Sequence, residues 1–137
     1  MIYGQFQYFC DELSGWTRII EFHKEQLGES IRQIAILKAQ QVSSNGNEKA
    51  GDAFTDRFIV QEQQFEHITS QIIDQRQRLE RTVFYTGNPV DVPVSQKQDA
   101  LRSKMKIAER NFMNTKYSCS VYLASFLDNG ALALQNS

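Results

Sequence analysis

The sequence predicts an all-α fold, an elongated up-down-up bundle of three long helices. Three observations predict it. Apolar residues recur at alternating steps of three and four along three separate stretches, each stretch is long enough to cross a small domain, and polar segments bearing glycine or proline divide them. On the first seam fall Phe6, Phe9, Leu13, Trp16, Ile20, Leu27, Ile34 and Leu37, interrupted by His23 and Ser30. The second carries Phe54, Phe58, Phe65, Ile68, Ile72 and Leu79, with Gln61 and Gln75 as polar steps. The third carries Leu101, Met105, Ala108, Phe112, Cys119, Tyr122 and Phe126, with Thr115 between. A seam of this coiled-coil type specifies helices packed side by side, and it specifies no chemistry.

The first helix is expected over 5–42. Ser14-Gly15 follows Asp11-Glu12 and resembles a helix start, so a separate short helix over 5–13 is the alternative. Gly28 costs about 1 kcal/mol relative to alanine inside a helix. The apolar phase runs through both glycines and favours one helix. Residues 43–51 are polar and contain glycine, which predicts a loop, and Asp52 is a suitable N-cap for a second helix over 53–85. Gly87-Asn88-Pro89 stops that helix, and Pro93 is expected to keep the connection extended. Ser95 and Gln98 have the capping-box spacing that opens a third helix over 96–128. Asn129-Gly130 reads as a stop, leaving residues 131–137 as a short tail.

Length and charge bound the rest. A chain of 137 residues makes one helical-bundle domain with room for a real core, to which nine phenylalanines contribute. The net charge of −1 carries no global signal for nucleic acid or a membrane surface. No run approaches the roughly 18 uninterrupted apolar residues of a spanning helix. Met1-Ile2-Tyr3-Gly4-Gln5 is not the basic start of a signal peptide, so a cytoplasmic location is expected. Cys10 and Cys119 lie about 30 Å apart along such a bundle, too far for a disulfide, and are expected to be buried free thiols.

The search for chemistry returns little, and no catalytic, metal or cofactor site is assigned. A carboxylate metal site in a bundle needs Glu-x-x-His pairs, but Ile20 and Gln64 stand three residues before His23 and His67. His23 occupies a seam position, where a hydrogen-bonded core or boundary histidine is the expected role and a polar residue that fixes register or oligomer state the next one. A phosphotransfer motif would place Lys and Gly where Gln26 and Leu27 stand. The expectation is therefore a non-enzymatic interaction, scaffold or adaptor protein.

Two surfaces are candidates for that role. Ile19, Phe22, Ile31, Ala35 and Ile36 broaden the apolar face of the first helix, and Val121, Leu123 and Leu127 do the same late in the third. Homodimerisation is expected there, with Phe22, Ile36, Leu123, Phe126 and Leu127 as the candidate contacts. The second surface is electrostatic. Residues 1–75 sum to −5 and residues 76–110 to +4, so the turn between the second and third helices is a basic end on an acidic rod. Arg78, Arg81, Arg102 and Lys106 are the candidate residues for an acidic protein partner or, as the alternative function, a nucleic acid.

Overall fold

The computed structural model describes the backbone of residues 2–40, 45–85 and 90–135, and the side chains of residues 4–40, 49–84 and 90–126. Apart from Val90 and Asp91 every described residue is helical, and no strand occurs among them. Helix α1 spans Ile2–Gln40, α2 spans Asn45–Glu80 and continues as a π-helical turn over Arg81–Tyr85, and α3 spans Val92–Gln135. Contacts between helices fix the topology. As the α1 partner advances from Ser14 to Lys24 to Lys38, the α2 partner retreats from Arg76 to Glu66 to Asp52. Pairs between α1 and α3 keep a nearly constant separation, 90 residues for Glu12–Arg102, 86 for His23–Glu109 and 90 for Gln26–Lys116. So α2 is antiparallel to both neighbours, and α1 and α3 run parallel.

The 3-4 seams form the core. Leu13, Ile20, Leu27 and Ile34 of α1 are buried against Phe58, Phe65, Ile68 and Ile72 of α2 and Leu101, Met105, Phe112 and Cys119 of α3. The polar seam positions His23, Gln61, Gln75 and Thr115 are buried too, and each finds a partner on another helix. Gln61 Nε2 donates to Thr115 Oγ1 at 2.7 Å. Near the other end, Gln98 ties all three helices together. Its oxygen accepts from Gln75 Nε2 at 3.0 Å, and its nitrogen donates to the Phe9 carbonyl at 3.2 Å and to Glu12 Oε1 at 2.9 Å. Gln98 has no exposed surface.

Three sequence expectations are corrected and one is borne out. Helix α1 is unbroken through Ser14-Gly15 and Gly28, as the apolar phase favours, and the alternative of a separate short helix is absent. Its apolar stripe docks on both sides of each glycine, and that tertiary packing outweighs local propensity. The polar stretch expected to be a loop over 43–51 is helical from Asn45 onward, and Asp52 is not a cap. There the chain is held by packing: Gly51 is buried against Ile34 and Tyr122, where an added Cβ would lie 3.2 Å from each, and Asp52 pairs with Lys38. Helix α3 starts before the Ser95–Gln98 pattern. Asp91 is its cap, accepting from the Val94 amide at 2.9 Å, and Pro93 sits in the first turn, where its missing N–H removes no helical bond. Finally, α3 continues through Asn129-Gly130 to Gln135, so the tail expected over 131–137 is helical up to that residue. Residues 41–44, 86–89 and 136–137, which include the expected end of the first helix, the Gly87-Asn88-Pro89 stop and the last two tail residues, lie outside the described residues.

Two outcomes follow from this packing. Gly28 is exposed and a Cβ there meets nothing within 4 Å, so Gly28→Ala should stabilise the fold by about 0.5–1 kcal/mol in chemical denaturation. Gln98→Ala should cost about 2–4 kcal/mol, because it leaves a cavity and strips buried partners on α1 and α2. An unchanged denaturation midpoint for Gln98→Ala would contradict the cross-link.

Candidate functional site

Three bundle faces, one per helix pair, differ in chemistry. The α1–α2 face is bridged by Ser14–Arg76, Lys24–Glu66 and Lys38–Asp52. Half-buried Cys10 lies on it, its thiol pushed up by burial against the opposing pull of the Arg76 charge. Cys119 is buried in the core and its thiol is likewise pushed up by burial, and both cysteines are free.

Along the α1–α3 face lies a two-pronged ion pair. Arg102 donates from Nε and Nη2 to the two oxygens of Glu12, both at 2.8 Å, and from Nη1 to Asp99 at 2.6 Å. Burial by itself would raise the Glu12 carboxyl, but the hydrogen bonds from Arg102 and Gln98 and the Arg102 charge hold it below the ordinary carboxylate range. The Arg102 guanidinium is correspondingly raised by its hydrogen bonds to Glu12 and Asp99. Further along, buried His23 places Nε2 2.9 Å from Glu109 Oε2, with its ring against Phe112 and Phe65 at centroid distances of 4.9 and 5.8 Å. The hydrogen-bonded core histidine that the sequence leads one to expect matches this geometry, which connects α1 to α3 within an aromatic cluster.

The expected self-association residues divide between core and surface. Ile19 is seven residues from both Glu12 and Gln26, which bond to α3, so it shares their flank of α1. Phe22 lies one step outward on that side and Ile36 two heptads after it. Phe22 is 56% exposed, Ile36 44% and Met113 of α3 47%. Ile36, Leu37 and half-buried Leu123 line a hollow of about 290 Å³ between the two helices. Phe126 is half-buried and packs edge-on against Tyr122 at 4.9 Å, so it belongs partly to the bundle. The side chain of Leu127 lies outside the described residues.

The basic candidates are not gathered into one patch. Arg102 is half-buried and committed to Glu12 and Asp99. Lys106 is exposed and seven residues before Met113, which places it on the α1 side of α3. Arg78 is exposed and seven residues after Gln71, which accepts from Lys104 at 3.3 Å, so it lies on the α3 side of α2. Arg81 is exposed on the π-helical turn. The α2–α3 face instead brings together Arg57, Lys97 and Lys104, cations that the charge count alone does not single out. Their signal in the sequence is the heptad spacing. Arg57, Gln64, Gln71 and Arg78 form one row and Lys97, Lys104, Asn111 and Ser118 another, with no acidic residue in either.

His67 is exposed on that same face, in a hollow lined also by Val60, Ile68, Ile107 and Ala108. Among the described residues no group of three or more His, Cys, Asp or Glu side chains is placed to hold a metal, and no helix is long and apolar enough to cross a membrane. In comparisons with known proteins, no family model, curated protein or solved structure matches the chain.

The lowered Glu12 carboxyl gives the α1–α3 ion pair a pH signature. Its folded value lies below its unfolded value of about 4.3, so its stabilisation is complete above that pH and is lost as pH falls through the folded value. Glu12→Gln should cost about 1 kcal/mol at neutral pH, allowing for the part-exposed arginine, and the gap to the wild type should close on acidification below about pH 4. Urea denaturation of both proteins across that range checks it, and a gap independent of pH would contradict the assignment.

Proposed function

We propose that the protein is a non-enzymatic helical interaction protein that self-associates through its α1–α3 face. The observation that supports this most directly is an apolar row lying outside a core that is already filled. Ile19, Phe22 and Ile36 on α1 and Met113 on α3 are 39–56% exposed while the seam beneath them is buried. Exposed apolar residues are ordinary on a protein surface and occur on other faces of this bundle too, Val60 and Ile107 among them, but these four share one helix pair. In the proposed mechanism the row is buried against a second copy, and the flanking charges orient it.

The alternative reading, a nucleic-acid-associated or regulatory protein using Arg78, Arg81, Arg102 and Lys106, has less support. Arg102 already holds two carboxylates, and Lys106 and Arg78 lie on different faces.

Light scattering coupled to size exclusion over a dilution series tests the proposal. The wild type should give a dimer mass, and Phe22→Asp should shift it to monomer with unchanged helicity, because a charge at this half-exposed site costs little in a single chain. A one-chain mass for the wild type throughout the series overturns self-association.

A further inference from the structure

From the groove between α2 and α3, we infer a docking site for an acidic amphipathic helix of another protein, which would complete a four-helix arrangement. Three hollows lie in file along this face. The central one, of about 400 Å³, shares Val60 and Gln64 with a neighbour of about 510 Å³ and Lys104 with another of about 170 Å³. They open where α3 contributes its small seam residues: Ala108 lines the central hollow and Thr115 the larger neighbour. From Asp56 to Gln75 the groove covers about five to six helical turns, the length of an incoming helix of roughly 20 residues.

The chemistry of the walls selects the occupant. Val60, Ile68, Ile107 and Ala108 give the centre an apolar floor and shoulders. Val60 is 51% exposed and Ile107 57% exposed, so a covering helix would bury both. Arg57, Lys97 and Lys104 line the flanks, and Arg78 continues the α2 row by its spacing. None of these four cations is in an ion pair among the described residues. Asp56 and Asp74 stand on the rim, which leaves the cations in excess. An apolar stripe edged by glutamate or aspartate matches this groove, with leucines in the hollows and carboxylates on the flanking rows. A nucleic-acid strand is better served by a run of aromatic stacking surfaces, and the three hollows offer it only the ring of His67.

The inference rests on reading the chain as an interaction protein, and it is independent of self-association because it uses another face. The test is a fluorescence-anisotropy titration of the full chain with a labelled synthetic 18-residue helix, leucine at its 3-4 positions and glutamate at the flanks. A lysine-flanked twin and a single-stranded oligonucleotide serve as competing probes. The glutamate helix should bind saturably, with the lysine twin weaker by roughly tenfold or more. Lys104→Glu and Arg57→Glu should each weaken binding by about tenfold, and Phe22→Asp should leave it unchanged. Circular dichroism checks the fold. If a reversal unfolds the chain, Lys104→Gln, with loss of affinity on adding salt, reads the same contribution. No saturable binding, equal binding of the two helices, or affinity untouched at Lys104 and Arg57 overturns the inference. Tighter binding of the oligonucleotide that is lost in the same variants assigns the face to nucleic acid and also overturns it. The mass of the same samples separates the two readings. A monomer that binds the glutamate helix refutes self-association alone, and a dimer that does not bind it refutes the groove alone.

Discussion

The register of the three helices depends on the buried amide pair Gln75–Gln98. Gln98 reaches α2 through Gln75 and α1 through the Phe9 carbonyl and Glu12, and Gln75 Nε2 also donates to the Val94 carbonyl at 2.9 Å. Apolar seams by themselves tolerate a slip of one heptad, since one leucine-sized step replaces another. A slip here would leave buried amides and a carboxylate without partners, at about 1–3 kcal/mol for each orphaned group. The Gln61–Thr115 bond and the His23–Glu109 contact repeat the constraint further along the bundle. Polar seam residues thus provide the uniqueness that a uniform apolar seam lacks.

With register fixed, each flank row meets a definite neighbour, and the faces acquire their characters. Between α1 and α2 the rows pair as Lys24–Glu66 and Lys38–Asp52. Between α1 and α3 the Glu12–Arg102 pair closes one end, while Ile19, Phe22 and Ile36 are left partly exposed further along. Between α2 and α3 neither row carries an acidic residue, and small seam residues leave the face hollow. An acidic first half and a basic stretch over 76–110 are therefore partly neutralised within the bundle, and Arg57, Lys97 and Lys104, which stay outside the ion pairs among the described residues, share one groove.

This explains why net charge along the chain is a poor guide to the site. Arg102 and Lys104 are two residues apart, yet one is bound to α1 and the other faces the α2–α3 groove. A two-residue step turns a helix by about 200°, so neighbours in sequence serve opposite faces. Counting charges in a window averages over faces, whereas sorting them by heptad position separates them.

The sequence by itself determined the all-α class, the three seams and nearly every core residue, because burial in a bundle repeats with the helical period and that period is written in the apolar spacing. Its helix ends were less legible. Local signals at residues 43–51, Ser95–Gln98 and Asn129-Gly130 compete with packing that appears only once the helices are side by side, as at Gly51 against Ile34 and Tyr122. Tertiary structure alone decided that Gln98 is a buried cross-link rather than a cap, that Arg102 is consumed by Glu12, and that Arg57, Lys97 and Lys104 share a groove. The physical reason is that a seam specifies which side of a helix is inward, while the fate of each flanking side chain depends on which helix lies beside it and at what height.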